Sequence, residues 1–138
     1  MVEHSVPSPR KLMDDALRDY VVPALRERGF QGSTPHFRRL LHDRVDLFTI
    51  QYDRHGGGFV VEISQCGVEG VTKSWGEHVP AAKVTARDLH PDRRLRLKLK
   101  KGAGRDAWFR FENGEYRKVA GQLLLRLVDA DKFWASRA

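Results

Sequence analysis

The chain has 138 residues, of which 41% are hydrophobic and 31% charged, a balance typical of one globular domain that buries a core without disulfides. No apolar run approaches the roughly 18–20 residues that cross a bilayer, and no secretory signal opens the chain, so we expect a cytoplasmic protein with no membrane partner. The 25 basic and 18 acidic residues give a formal charge of +7, which favours polyanionic partners without identifying one.

The first predicted element is a helix that follows a loosely ordered polar arm at residues 1–8. Ser8 can cap the helix and Pro9 suits its first turn. Apolar residues then recur at helical spacing: Met13, Ala16, Leu17, Tyr20, Val21 and Leu25. Pro23 should kink or divide this helix, and Gly29 should end it in the left-handed conformation.

Three strands are predicted next, at residues 36–41, 45–53 and 58–66. Their short connections indicate an antiparallel meander, because parallel pairs need a long crossover. Pairing Tyr52 with Phe59 places six large apolar side chains on one face, which must be the core: Phe48, Ile50, Tyr52, Phe59, Val61 and Ile63. The three glycines between the strands then form a hairpin turn. A phosphate-binding loop is not expected there, because a strand follows rather than a helix.

The opposite face of this hairpin is mixed in character: Leu47, Thr49, Gln51, Val60, Glu62 and Ser64. Together with Arg39 from the preceding strand, we expect Thr49, Gln51 and Glu62 to form a surface that binds a partner. Glu62 is the one carboxylate within a strongly hydrophobic strand, so an enzyme with a groove around Glu62 is an alternative. A charged residue on the wet face of a sheet is the simpler interpretation.

Residues 67–90 show no sustained period and predict a long irregular loop. The basic run that follows, residues 93–101, alternates leucines with cations and predicts a strand. Its four inner cations share one face: Arg94, Arg96, Lys98 and Lys100. Such a row suits a phosphate backbone, so nucleic-acid binding is a second hypothesis. The alternatives are a solvated or edge strand, or an acidic protein partner. No aromatic residue interleaves these cations to stack a base.

The chain closes with a turn at 102–104, a predicted strand at 106–112 and a predicted helix at about 115–128. Phe133 and Trp134 should attach the tail to the body. The order of elements predicts the α+β class, in which the N- and C-terminal helices pack on one face of a mostly antiparallel sheet of about five strands. We expect residues 9–138 to form this single domain.

Patterns for metal or covalent chemistry are missing from the sequence. The histidines never fall at helical ligand spacing, and Cys66 has no neighbour with ligand spacing and no evident base. Cys66 is better interpreted as a buried strand cysteine. We therefore predict no cofactor, no metal and no catalytic residue. The leading interpretation is a non-enzymatic binding module whose partner is an acidic protein or nucleic acid.

The order of short motifs resembles a bacterial family known as domain-of-unknown-function family 4304. The similarity lies in the stretches ERGF, HFRR, LFTIQYDRHGGGFVVEIS and DAWFRF, and it covers most of residues 12–130. In the family pattern an Asn and then a Gly occupy the third strand, where this chain has Glu62 and Ser64. The resemblance implies the α+β fold and implies no activity. A role of that Asn in a shared site would not transfer to Glu62, which carries a charge.

Overall fold

In a computed structural model of the chain, the described residues are 6–99 and 107–136. The helices are α1 (Pro9–Tyr20), α2 (Val22–Glu27) and α3 (Tyr116–Ser136). The strands are β1 (Gln31–Ser33), β2 (His36–Leu40), β3 (Val45–Tyr52), β4 (Gly58–Cys66), β5 (Val71–Thr72), β6 (His78–Val79), β7 (Leu95–Arg96) and β8 (Phe109–Arg110). Two 3₁₀ turns lie at Ala86–Asp88 and Pro91–Arg93. Most of the predicted N-terminal arm and the turn predicted at 102–104 lie outside the described residues.

The first helix forms as its sequence predicts. The Ser8 side chain accepts a hydrogen bond from the Lys11 backbone N–H, and Pro9 occupies the first turn. Pro23 lies at the start of α2, where it divides the helical segment in two because its ring removes a backbone donor. Gly29 follows with φ of +92°. The predicted start, division and end of this segment are therefore confirmed.

The main sheet has six strands, in the order β1-β2-β3-β4-β7, with β8 also paired to β4. All these pairs are antiparallel, so the predicted α+β class and its mostly antiparallel sheet are confirmed. Tyr52 pairs with Phe59 and the register continues to the end of both strands, as the sequence predicts. Gly56 and Gly57 have φ of +88° and +82°, a conformation that turns the hairpin at low steric cost only for glycine.

The three helices cover one face of this sheet, which we call the helix face. Apolar residues of α1 and α3 pack there against the side chains that the hairpin register places inward, including Phe48, Phe59 and Ile63. The helix α3 extends to Ser136, although the sequence predicted its end near residue 128. It continues because Ala130 and Trp134 prolong the apolar spacing, and both are fully buried. Trp134 thus attaches the C-terminal part as predicted, but as part of the helix.

The two late strands are shorter than predicted. Within the described residues, the basic run contributes only Leu95–Arg96 to the sheet, and the segment predicted at 106–112 contributes only Phe109–Arg110. Both pair with the same edge of β4, where β8 takes Gly58 and Phe59 and β7 takes Glu62 and Ile63. The two short strands therefore share one edge of β4, at different positions along it.

Candidate functional site

The face opposite the helices is covered by residues 67–93, which we call the covering segment. Its Val84, Ala86 and Leu89 form a second apolar cluster with Val45 and Leu47 of β3. The predicted irregular loop therefore contains a short β5–β6 hairpin and two 3₁₀ turns, and it forms a layer over the sheet. This packing could not be predicted from periodicity, because the segment follows neither a strand nor a helix period.

The mixed surface predicted from the hairpin is not open. Thr49 is 1% exposed and Glu62 is 4% exposed beneath the covering segment, whereas Gln51 near the end of β3 is half-buried. The Thr49 hydroxyl oxygen accepts the Ala86 backbone N–H at 3.2 Å. The sequence-based expectation of an accessible binding surface at Thr49 and Glu62 is therefore wrong, because tertiary packing covers both residues.

Arg39 lies on the other side of the sheet from Thr49. It pairs in register with Asp46, and alternation places both on the helix face with Phe37 and Phe48. Its guanidinium lies 4.9 Å from the ring centroid of Phe30 and 5.3 Å from that of Trp134. The grouping of Arg39 with the mixed face is therefore wrong, since β2 presents Arg38 there instead. Arg38 donates to the Val84 carbonyl at 2.6 Å and so holds the covering segment.

Glu62 meets a guanidinium rather than a cavity. Arg94 donates from Nη1 to Glu62 Oε2 at 2.9 Å and from Nε to the Leu89 carbonyl at 2.8 Å. Cavities of about 590, 410 and 340 Å³ along the described residues are lined by side chains other than Glu62. The geometry thus gives no support to an acid–base site at Glu62, and Arg94 serves to link β4 to the covering segment.

A concave surface lies on the outside of the covering segment, and we call it the Trp75 groove. Its volume is about 410 Å³. The β5–β6 hairpin forms one wall and the two 3₁₀ turns form the other, with these lining residues: Val71, Thr72, Lys73, Ser74, Trp75, Arg87, Asp88, Leu89, His90 and Arg93. Trp75 is 72% exposed. Sequence reasoning noted Trp75 only as part of an irregular loop, because its exposure depends on how the hairpin packs.

Lys73 organises one wall of the Trp75 groove. Its ammonium lies 2.9 Å from an Asp88 carboxylate oxygen, 3.3 Å from Glu77 and 5.2 Å from the Trp75 ring centroid. The Asp88 hydrogen bond raises the pKa of Lys73. Burial works to raise the pKa of Asp88, but the Thr85 backbone N–H and Lys73 outweigh it, and that pKa lies below its ordinary value. Both groups are therefore charged near neutral pH and neutralise each other.

Two cations that line the Trp75 groove can interact with a ligand. Arg87 and Arg93 are exposed, and neither guanidinium pairs with a carboxylate within residues 6–99 and 107–136. His90 lies 3.4 Å from Asp92, an exposed neighbour. With Lys73 balanced by Asp88, the two arginines give the residues that line the groove an excess of positive formal charge.

The basic run begins at this groove. Arg93 lines the groove and is also the first residue of the run. Arg96 pairs in register with Glu62, so its side chain projects to the covered side of the sheet, where the groove also lies. Arg96 and Lys98 are exposed, Arg94 is mostly buried by its ion pair, and Lys100 lies outside the described residues. The predicted row of four cations thus divides into a structural arginine and exposed neighbours.

Neither cysteine nor metal chemistry gains support from the geometry. Cys66 is half-buried beside the second apolar cluster, and burial raises the pKa of its thiol to about 11. At neutral pH this thiol is almost entirely protonated and a poor nucleophile. Across the described ranges, no three histidine, cysteine, aspartate or glutamate side chains converge in a way that suits a metal ion.

Comparison with known families bears on the whole fold. The family model described as Domain of unknown function (DUF4304) matches residues 21–136, which include the six-stranded sheet, the covering segment and α3. The chain belongs to this family. No curated protein and no solved structure matches the DUF4304 chain. The predicted membership is thus confirmed, and the match begins where α1 ends.

Along the described residues, no helix of this DUF4304 chain combines the length and apolar character that a membrane span requires.

Proposed function

We propose that this DUF4304 chain is a non-enzymatic binding module for polyanionic ligands, and that the ligand binds in the Trp75 groove and along the exposed cations that follow it. The observation that carries the proposal is the pair Arg87 and Arg93, two exposed guanidiniums without a carboxylate partner in the described chain, in one concave surface. Arg96 and Lys98, which follow Arg93 in the chain, are also exposed and add two positive charges.

Charge elsewhere in the chain supports the same choice. The overall formal charge is +7, and the sequence isoelectric point is about 9.9. Several basic side chains of the helix layer meet carboxylates, as Arg28 does with Asp131 and Lys11 with Asp15. Cations that already have a partner gain less from a polyanion, because the existing ion pair must be lost. The covered side therefore offers the stronger attraction.

The proposal is tested by retention on heparin, a polyanion without bases. We expect the parent chain to bind at low salt and to elute as salt rises, because association releases counterions. The double variant Arg87→Glu, Arg93→Glu should elute at a markedly lower salt concentration. The matched control is Arg117→Glu, Lys132→Glu, which makes the same charge change at exposed positions of α3 on the opposite layer.

The control variant distinguishes the effect of charge in the Trp75 groove from the effect of net charge on heparin retention. If both double variants elute together, net charge alone explains retention and the groove has no special role. If the parent chain fails to bind heparin at low salt, the proposed function is wrong. Thermal unfolding of each variant, followed by circular dichroism, verifies that the substitutions at these exposed positions leave the fold intact.

A further inference from the structure

Trp75 is exposed in the described chain, where the Lys73 ammonium lies 5.2 Å from its ring centroid. It is the largest of the exposed apolar side chains, and at 72% exposure it contributes little to either apolar cluster. The other two tryptophans differ, since Trp134 is fully buried and Trp108 is half-buried. An exposed indole offers apolar surface that a ligand can bury, and Trp75 lines the concave surface in which Arg87 and Arg93 also lie, so a ligand in that groove can contact all three.

The β5–β6 hairpin holds Trp75 in a defined place. The Gly76 backbone N–H donates to the Lys73 carbonyl at 2.8 Å, and the Lys73 N–H donates to the Glu77 carbonyl at 2.7 Å. Gly76 has φ of +94°, which allows this tight loop to close directly after the indole. Lys73 also pairs with Asp88 on the opposite wall. The backbone that carries Trp75 is thus ordered before a ligand arrives, which reduces the entropy cost of binding.

The two free arginines of the Trp75 groove lie in the other wall, on and beside the 3₁₀ turns. Arg87 belongs to the first turn and Arg93 ends the second, and both line the same concave surface as Trp75. An aromatic platform with flanking cations is the arrangement by which proteins bind single-stranded nucleic acid: bases stack on the ring and phosphates meet the cations. The Glu and Asp side chains of an acidic protein partner can pair with the two arginines, but they have no aromatic ring to stack on the indole.

From this combination we infer that the polyanion is single-stranded nucleic acid, with one base stacked on Trp75 and adjacent phosphates on Arg87 and Arg93. The inference rests on the proposed function and specifies its ligand. A duplex is a poorer fit because its bases are already stacked on each other and present only their edges. A chain of phosphates or sulfates without bases engages the arginines alone.

The experiment measures fluorescence anisotropy of a labelled oligothymidylate of about 12 nucleotides, a length typical of single-strand sites. We expect Trp75→Ala to weaken oligonucleotide binding about 5- to 150-fold, since loss of one stacked base costs about 1–3 kcal/mol. Trp75→Phe should restore most of the affinity because it keeps a ring. Retention of Trp75→Ala on heparin should equal that of the parent, since heparin has no base to stack.

The outcomes separate this inference from the proposed function. If Trp75→Ala binds the oligonucleotide as well as the parent, or a duplex of equal length binds as well as the single strand, the inference is wrong while the proposed function stands. If polyglutamate binds as tightly as the oligonucleotide, the ligand is an acidic protein, and the inference is again wrong. If heparin binds at low salt and the oligonucleotide does not, the inference is wrong while the proposed function stands; if heparin does not bind at low salt, the proposed function fails as well.

Discussion

At the scale of single residues, the buried carboxylate of Asp46 is the centre of a cluster of polar side chains in the core. Asp46 lies on the helix face at 0% exposure. Its Oδ2 accepts Nε and Nη2 of Arg39 at 3.0 and 2.6 Å, and its Oδ1 accepts Arg44 Nε at 3.1 Å and Gln65 Nε2 at 2.7 Å. Four donors satisfy the carboxylate, so the charge is buried without an unpaired oxygen.

This cluster predicts that Arg39 contributes to stability rather than to ligand binding. Replacement by methionine keeps most of the packing on Phe30 and Trp134 but removes two of the four donors to Asp46. We expect Arg39→Met to lower the free energy of unfolding by about 1.5–3 kcal/mol, because the buried carboxylate loses two charge-assisted hydrogen bonds while Arg44 and Gln65 remain. Urea denaturation measures this loss. Lys118→Met, which breaks an exposed pair with Glu115, should change it by no more than about 1 kcal/mol.

Equal stabilities for the two variants would show that the buried cluster contributes no more than a surface ion pair. Heparin retention of Arg39→Met at a temperature where it is folded gives the second reading. It should match that of Lys118→Met, which removes the same charge, because Arg39 lies on the layer away from the Trp75 groove.

At the scale of elements, one hydrogen bond that holds the covering segment to the sheet lies beside a titratable side chain. His36 Nδ1 of β2 lies 3.3 Å from the Thr49 hydroxyl, whose oxygen also accepts the Ala86 N–H of the covering segment. Burial, and then the charges of Arg38 and Arg87, lower the pKa of His36 below its ordinary value of 6.5. The neutral ring fits this environment, since its Nδ1 can accept the Thr49 hydroxyl proton.

The lowered pKa predicts that His36 makes the fold less stable in mild acid. Below about pH 6.5 the unfolded chain binds a proton at this histidine more readily than the folded chain, so stability falls as pH decreases through the folded pKa. His36→Gln, which keeps an acceptor but does not titrate, should reduce the loss of stability between about pH 7 and 5. His42→Gln is the control, because the His42 side chain is 94% exposed.

Thermal unfolding across this pH range measures both variants against the parent. If His36→Gln loses as much stability as the parent when the pH falls, the acid sensitivity belongs to other groups. If His42→Gln reduces that loss as much as His36→Gln does, exposed histidines account for it.

The same scale shows how much of the molecule is predictable from its sequence. The β3–β4 register follows from sequence because a short glycine turn and one apolar face leave a single pairing that buries Phe48 and Phe59 together. The position of the covering segment does not follow, because its three core residues contact strands far away in the chain. Alternation with Phe37 is enough to predict that Arg39 lies on the core face of β2, whereas the Trp75 groove can be recognised only in the tertiary structure.

At the scale of the whole molecule, the sheet separates two layers with different roles. The helix layer contains the larger apolar core, and the covering layer presents the groove. Within the described residues, four donor residues make the hydrogen bonds that join the covering layer to the sheet. The donors are Arg38 to Val84, Ala86 to Thr49, Ser64 to Arg93, and Arg94 to Glu62 and Leu89. Arg94 pairs with the buried Glu62 carboxylate of the sheet and also donates to the Leu89 carbonyl of the covering layer. We therefore expect the ordered structure of the groove to depend on Arg94.

Arg94→Met therefore tests whether the covering layer and the groove act as one unit. The substitution leaves the Glu62 carboxylate buried without its cation and removes the donor to the Leu89 carbonyl, so we expect a loss of about 3–5 kcal/mol in unfolding free energy. In the double variant Glu62→Gln, Arg94→Met the loss should be smaller than the sum of the two single losses, because the residues interact directly. A sum that is simply additive would show that the pair is not coupled.

The second readout of Arg94→Met is the native-state labelling rate of Cys66 by a thiol reagent. Cys66 packs beside the covering segment, so loosening that segment should increase the rate, whereas global unfolding would appear in the urea curve instead. Oligonucleotide binding should weaken in parallel with the faster labelling. Lys98→Met removes an equal charge from an exposed position of the same run and should leave Cys66 labelling unchanged. If Arg94→Met weakens binding only as much as Lys98→Met and Cys66 labels at the parent rate, Arg94 acts merely as one more cation and the covering layer is held by its other contacts.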